Sequence, residues 1–172
     1  MILKPQDLLV ALKLIALRDA PWQYASLADS LDMGQGEVHS AVKRGLRAGL
    51  LVTKGSETAP MRRNLLEFVS HGVRYVFVPD RGAIVRGIPT AWAAPPLSKE
   101  ISTEEWAIPV WPFDEGHVRG ESFSPLYRSA PIAASRDQGL YELLALVDAI
   151  RGGRSRERKM AIKAFANRLD AP

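Results

Sequence analysis

Apolar residues recur at helical spacing through the first third of the chain and then lose that rhythm. Over Pro5–Arg18, Leu8, Leu9, Leu12, Ile15 and Ala16 fall on one side of a helix, and Pro5 suits its first turn. Asp19, Ala20 and Pro21 break the pattern. A shorter helix is expected over Tyr24–Leu31, with Leu27, Ala28 and Leu31 inward. Asp32, Met33 and Gly34 then form a tight turn. The third helix runs from about Gln35 to Ala48 with Val38, Ala41, Val42, Gly45 and Leu46 as its inner stripe, and Gly49 stops it in the left-handed region. Leu50–Thr53 begins a strand, and Lys54–Pro60 is polar and turn-rich.

Beyond this loop the pattern predicts a short helix over Asn64–His71 and a strand over Val73–Val78, with Val73, Tyr75 and Phe77 on one face. From Pro79 to Pro131 the chain holds eight of its twelve prolines and three of its four tryptophans. Proline at that density disfavours long helices and central strands. Trp92, Trp106, Trp111 and Phe123 are too apolar for a disordered linker, so the stretch reads as extended chain packed across the domain or across a partner. Two helices, Gln138–Arg151 and Arg154–Leu169, close the chain around Gly152 and Gly153. In the first, Leu140, Leu143, Leu144, Val147 and Ile150 form a core or a dimer seam. The expected class is α+β, divided into an N-terminal helical unit with a strand start (1–78), a Pro/Trp-rich extended region (79–137) and a C-terminal helical pair (138–172).

Composition narrows the class. At 172 residues, 47% hydrophobic and 24% charged, the chain suits one soluble domain or a small domain with an appendage. No apolar run approaches the ~20 residues of a membrane span, and no signal peptide is evident. The absence of cysteine excludes disulfides and Cys-ligated metal centres, and a cytoplasmic location is expected. The net charge of +4 is unevenly spread: +1 over residues 1–50, +3 over 51–100, −5 over 101–150 and +5 over 151–172. Such asymmetry fits one surface that meets a polyanion and another that does not, and fits equally an uneven solvated surface.

The order helix, helix, Gly-containing turn, helix, strand is that of a helix-turn-helix with the beginning of a wing. Removing the inner stripe of the third helix leaves Gln35, Gly36, Glu37, His39, Ser40, Lys43, Arg44 and Arg47 outward. Gln35, His39 and Ser40 suit base edges in the major groove, and Lys43, Arg44 and Arg47 suit phosphates one to two turns later. A helical bundle with a solvated charged face is the alternative. Lys54, Arg62 and Arg63 flank a loop containing Gly55 and Pro60 that can serve as a wing, although a helix follows where a second wing strand is expected.

The run from Leu27 to Leu51 resembles the DNA-binding core of bacterial winged-helix regulators of the MarR-like kind, with Ala28, Leu31, Met33, Val38, Val42, Leu46, Gly49 and Leu50 in the pattern positions. The resemblance implies a double-stranded DNA-binding regulator, and a homodimer reading a palindromic site is expected because a single helix in the groove seldom supplies enough discrimination. Gly34 and Gly36 depart from the Ser or Thr common there, and Glu37 either contacts cytosine or repels the backbone. The stretch from Asn64 to Leu97, with Pro109–Pro112 and Ser124–Pro131, is similar to bacterial winged-helix proteins whose genes often lie beside nucleotidyltransferase-type toxins. That likeness implies an autoregulating repressor or an antitoxin, with a partner protein from a neighbouring gene. Trp92, Trp106, Trp111, Arg154, Arg156 and Arg158 are the candidate partner contacts.

No enzyme motif appears, and no cofactor is expected. His39, His71 and His117 lack metal-ligand spacing. Glu104 and Glu105 with Asp114 and Glu115 read as an exposed turn face rather than a catalytic pair, and Arg86–Thr90 reads as a structural turn.

Overall fold

The computed structural model describes residues 1–102 and 107–171. The chain is α+β, with eight α-helices and two small sheets among these residues. The first helix, α1 (Pro5–Ala16), begins at a proline and is buried along Asp7–Ile15 on every side. It lies between α3 (Gln35–Arg47) on one flank and α7 (Gln138–Gly152) on the other. Between α1 and α3, α2 (Tyr24–Leu31) buries Leu27, Ala28 and Leu31, as its periodicity predicts, and ends at Asp32 in the left-handed region.

Gly49 has φ +75 and turns the chain out of α3. A two-stranded antiparallel hairpin follows, β1 (Leu51–Lys54) with β2 (Glu57–Pro60), in a register that pairs Leu51 with Pro60 and Lys54 with Glu57. The expected polar loop over 54–60 is thus largely a second strand. Its signal is weak because a four-residue strand of Glu, Thr, Ala and Pro has no buried alternation. The hairpin is anchored at its base, where the Met61 N–H donates to the Leu50 carbonyl (2.9 Å) and the Asn64 amide to the Gly49 carbonyl (2.8 Å).

Two further expectations are corrected. Helix α4 (Arg62–His71) is followed by a helical turn, α5 (Val73–Val76), not by a strand over Val73–Val78. Val73 and Phe77 are buried and Tyr75 is exposed, which is i, i+4 spacing rather than alternation. The proline-rich region is not simply extended chain either. It contains β3 (Arg81–Pro89), β4 (Pro109–Pro112) and β5 (Val118–Phe123), which close into a three-stranded barrel, and then α6 (Ala130–Ser135). Prolines stand at strand ends, where a missing N–H is harmless. The Pro109 carbonyl still accepts from the Thr90 N–H at 2.9 Å. Closure needs glycine: a Cβ on Gly87 would lie 1.9 Å from the Trp111 carbonyl oxygen, and one on Gly120 would lie 2.1 Å from that of Ile108.

Helix α7 is buried from Leu143 to Arg151 and packs on α1, α5, α6 and α8 (Ser155–Asp170). Its apolar positions therefore fill the core. One continuous cluster of buried side chains runs from Leu8 to Leu169, crossing the expected boundaries after residues 78 and 137. The barrel is fixed to α7 by a buried polar cluster. Asp148 accepts from Thr90 Oγ1 (2.6 Å), Trp111 Nε1 (2.7 Å) and Arg151 Nε (2.8 Å), and Arg151 also donates to the carbonyls of Phe77 and Ser124. Among the described residues, no helix is long and apolar enough to cross a membrane.

Candidate nucleic-acid interface

Helix α3 owes its outward face to a clean division of positions. Val38, Ala41, Val42 and Gly45 are buried, and a Cβ on Gly45 would meet Leu51 at 2.8 Å. Gln35, Gly36, His39, Ser40, Lys43 and Arg47 are exposed. Gly36, Ser40, Lys43 and Arg47 follow one another at three- and four-residue steps, with His39 four before Lys43, so the polar groups and the cations share one stripe along the helix. Lys43 and Arg47 make no ion pair among the described residues.

Two aromatic contacts orient this stripe. The His39 ring stacks on Tyr24 of α2, with centroids 3.6 Å apart and planes 11° from parallel. Tyr24 meets Trp22 edge-on at 5.2 Å, and Trp22 Nε1 donates to the Thr58 carbonyl of β2 at 3.3 Å. A short chain of rings thus connects α3 to the hairpin. Lys54 lies exposed at the hairpin tip, beside a two-residue loop in which Gly55 takes φ +63.

Glu37 is the one carboxylate on α3, and it is fully engaged. Its Oε2 accepts the Gly34 N–H at 3.0 Å, which caps the helix. Its Oε1 accepts from the Tyr127 hydroxyl at 2.7 Å and from Arg128 at 3.3 Å. The Tyr127 hydrogen bond, then the Gly34 N–H and the Arg128 charge, hold the carboxyl below its usual range against the opposing effect of burial. Burial and then the bond to Glu37 push the Tyr127 phenol up. The acid is held to its own protein rather than aimed along the helix.

Three of the cations assigned to DNA occupy different surroundings from those expected. Arg44 turns inward and grips Asp7 of α1 through Nε and one terminal nitrogen, at 2.7 to 3.0 Å. Asp7 is wholly buried, and its hydrogen bond raises the Arg44 pKa. Position 44 adjoins the buried stripe, three residues after Ala41, and this makes the inward turn available. Arg62 is likewise diverted: it donates to the Leu169 carbonyl at 2.7 Å and pairs with Asp19 at 3.3 Å, fixing α4 to the end of α8. Arg63, its neighbour, is exposed on the first turn of α4 rather than in a loop.

The expected partner contacts divide similarly. Trp111 is fully buried with its indole N–H on Asp148, and Trp92 is buried in the short helical turn after β3, so neither offers an exposed contact face. Trp106 lies outside the described residues, as do Glu104 and Glu105. Arg154 and Arg156 are exposed at the start of α8, and Arg158 is half-buried and donates to the Gly153 carbonyl. Asp114 and Glu115 are exposed in the turn between β4 and β5.

Asp7, Tyr127 and Arg128 are the contributors that local patterns do not reveal. Asp7 carries only the signal of a carboxylate inside an apolar helix start. Tyr127 is 90 positions from its partner Glu37, beyond the reach of any periodicity. Compared with family models, curated proteins and solved structures, the chain gives no match.

Proposed function

We propose that residues 5–60 form a winged helix-turn-helix and that the protein binds double-stranded DNA, with α3 in the major groove and the β1–β2 hairpin as the wing. The observation that carries this reading is the exposed stripe of α3. It presents Gln35, His39 and Ser40 on its first two turns and the exposed Lys43 and Arg47 behind them, while its single carboxylate is bound by Tyr127, Arg128 and the Gly34 N–H. Neutral donors and acceptors near the N-terminus suit base edges, and cations a turn later suit the phosphate rail. Lys54 at the wing tip adds a further backbone contact. The biological role in this reading is a transcriptional regulator, an autoregulating repressor that acts as a homodimer, because one helix in a groove seldom discriminates enough.

The test is selection of duplexes from a random-sequence library by the full chain, followed by binding measured against salt. Lys43→Ala with Arg47→Ala is expected to weaken binding to every duplex and to lower the slope of log K against log salt by about 2, one contact each. Binding and slope that match the unaltered protein would refute the assignment.

A second reading, a protein-binding role such as an antitoxin, is favoured by a different surface from the tryptophans. Tyr75, Val76, Val78 and Ile84 are large apolar side chains left exposed around α5 and β3. Co-purification with the product of the adjacent gene, lost on Tyr75→Ser with Val78→Ser, supports it; retention in that variant counts against it.

A further inference from the structure

The second half of the chain brings cations to the flank of α3 that no local pattern assigns there. Arg128, just before α6, has a side chain 76% exposed, yet it lies 3.3 Å from Glu37 on the first turn of α3. Arg136, at the other end of α6, is 52% exposed; it donates to the Asp29 carbonyl of α2 at 3.0 Å and lies 3.8 Å from Asp32 in the α2–α3 turn. Both guanidinium groups therefore sit at the N-terminal edge of α3, Arg128 held at Glu37 and over the Tyr127 ring, Arg136 at the Asp29 carbonyl and beside Asp32, and each stays more than half exposed. A guanidinium carries five N–H donors in a fixed fork, so one anchoring contact leaves donors for a second acceptor.

A recognition helix enters the groove with its N-terminal residues at the base edges, and that edge is flanked by the phosphate backbone. Arginine at such a place meets phosphate with paired, charge-assisted hydrogen bonds. The acids beside these arginines do not cancel that role. Glu37 already has hydrogen bonds from Tyr127 and Gly34, and the Asp32 contact is long and half-exposed. We propose that Arg128 and Arg136 extend the DNA-contacting surface, each meeting a backbone phosphate beside the groove that α3 enters. The inference rests on the DNA-binding reading above, and it makes the interface a joint product of both halves of the chain.

The test uses the full chain and a duplex recovered by the selection described above. Arg128→Gln with Arg136→Gln keeps neutral donors for Glu37 and the Asp29 carbonyl, so docking of α6 is preserved while the charges are lost. The expected result is a salt slope lower by about 2 and binding weaker on the order of tenfold at ~0.15 M salt, equally on selected and unselected duplexes. Arg119→Ala, an exposed cation on the barrel, is expected to leave the slope unchanged and thereby separates local contact from net charge. Repeating Arg128→Gln in a Glu37→Gln background separates phosphate contact from screening of Glu37, with a slope decrease of about 1 expected there too. An unchanged slope in the double variant, or in the Glu37→Gln background, overturns the proposal. If Lys43→Ala with Arg47→Ala lowers the slope while the Arg128 and Arg136 variants do not, this inference alone falls. If neither pair changes it, the DNA-binding reading falls as well.

Discussion

Replacing Asp148 by Asn tests whether the buried polar cluster, rather than apolar contact alone, fixes the barrel to α7. Asp148 accepts three hydrogen bonds: from Thr90 and Trp111 at Oδ2 and from Arg151 at Oδ1. An amide offers an acceptor at one of these positions and a donor at the other. If its oxygen faces Thr90 and Trp111, its NH2 opposes Arg151 Nε; if reversed, it opposes the Trp111 indole N–H. In both arrangements the Arg151 guanidinium remains buried without its counter-charge. Breaking a buried ion pair from one side costs about 3–5 kcal/mol, where surface pairs cost under about 1. For a chain of this size that is a fall in Tm on the order of 10 °C. Urea unfolding followed by tryptophan fluorescence measures the loss, and Trp111 itself reports on the site. Arg151→Met alone is expected to cost a similar amount by stranding Asp148. Asp148→Asn with Arg151→Met is expected to lose less than the sum of the two, because the pair no longer leaves a lone charge. A single-variant loss under about 1 kcal/mol, or strict additivity in the double variant, refutes the reasoning.

Gly87→Ala is expected to destabilise by more than about 3 kcal/mol, because its Cβ falls 1.9 Å from a backbone oxygen that cannot yield; Gly36→Ala, with nothing within 4 Å, is expected to gain up to about 1 kcal/mol in the same urea assay. Asp137→Asn keeps the cap on the Leu140 N–H and loses the Lys13 pair at 2.7 Å, for an expected cost of about 1 kcal/mol at neutral pH. Burial alone would raise the Asp137 pKa, but the Lys13 and Leu140 hydrogen bonds outweigh it and lower the pKa. That contribution is present above the unfolded value near 3.9 and is lost as pH falls through the folded value, so the variant and the parent should converge in acid. Tyr127→Phe removes the largest cause of the depressed Glu37 pKa, and a carboxyl-carbon NMR titration should show Glu37 moving up toward its ordinary value.

The first three helices were legible because periodicity and chain breakers agree in them. Pro5 opens α1, Gly34 precedes α3, and Gly49 ends it at positive φ. The six residues after Gly72 carry no such agreement. Val73 and Phe77 satisfy both a helical face and one side of a strand, and only packing against α7 decides. Strand β3 was hidden for another reason: Arg81–Ile84 is exposed throughout, so its first half shows no burial alternation. Its pairing with β4 and β5, Gly87 opposite Pro112 and Val118, lies in contacts 21 and more positions away. The periodicity of α3 accounts for its exposed Gln35, Gly36, His39, Ser40, Lys43 and Arg47 but not for Arg44, whose inward turn depends on Asp7, 37 residues earlier.

The same long-range contacts explain why the helical unit at the N-terminus depends on the rest of the chain. Leu8, Leu9, Val10, Ala11 and Leu12 are all fully buried, an arrangement impossible for a helix covered on one side only. One flank packs on α3 through the Asp7–Arg44 pair, and the other packs on α7 beside the Lys13–Asp137 pair. Removing residues after 78 would expose the α7-facing side of α1 and leave Lys13 without its acid. It would also free Glu37 from Tyr127 and Arg128. Such a fragment would therefore lose core burial and, in the proposed reading, leave the Glu37 charge without its Tyr127 and Arg128 partners at the end of the helix that enters the groove. The C-terminal half thus acts on α3 through packing and charge together, and in the proposed reading a partner that draws Tyr127 and Arg128 away from Glu37 would alter DNA binding.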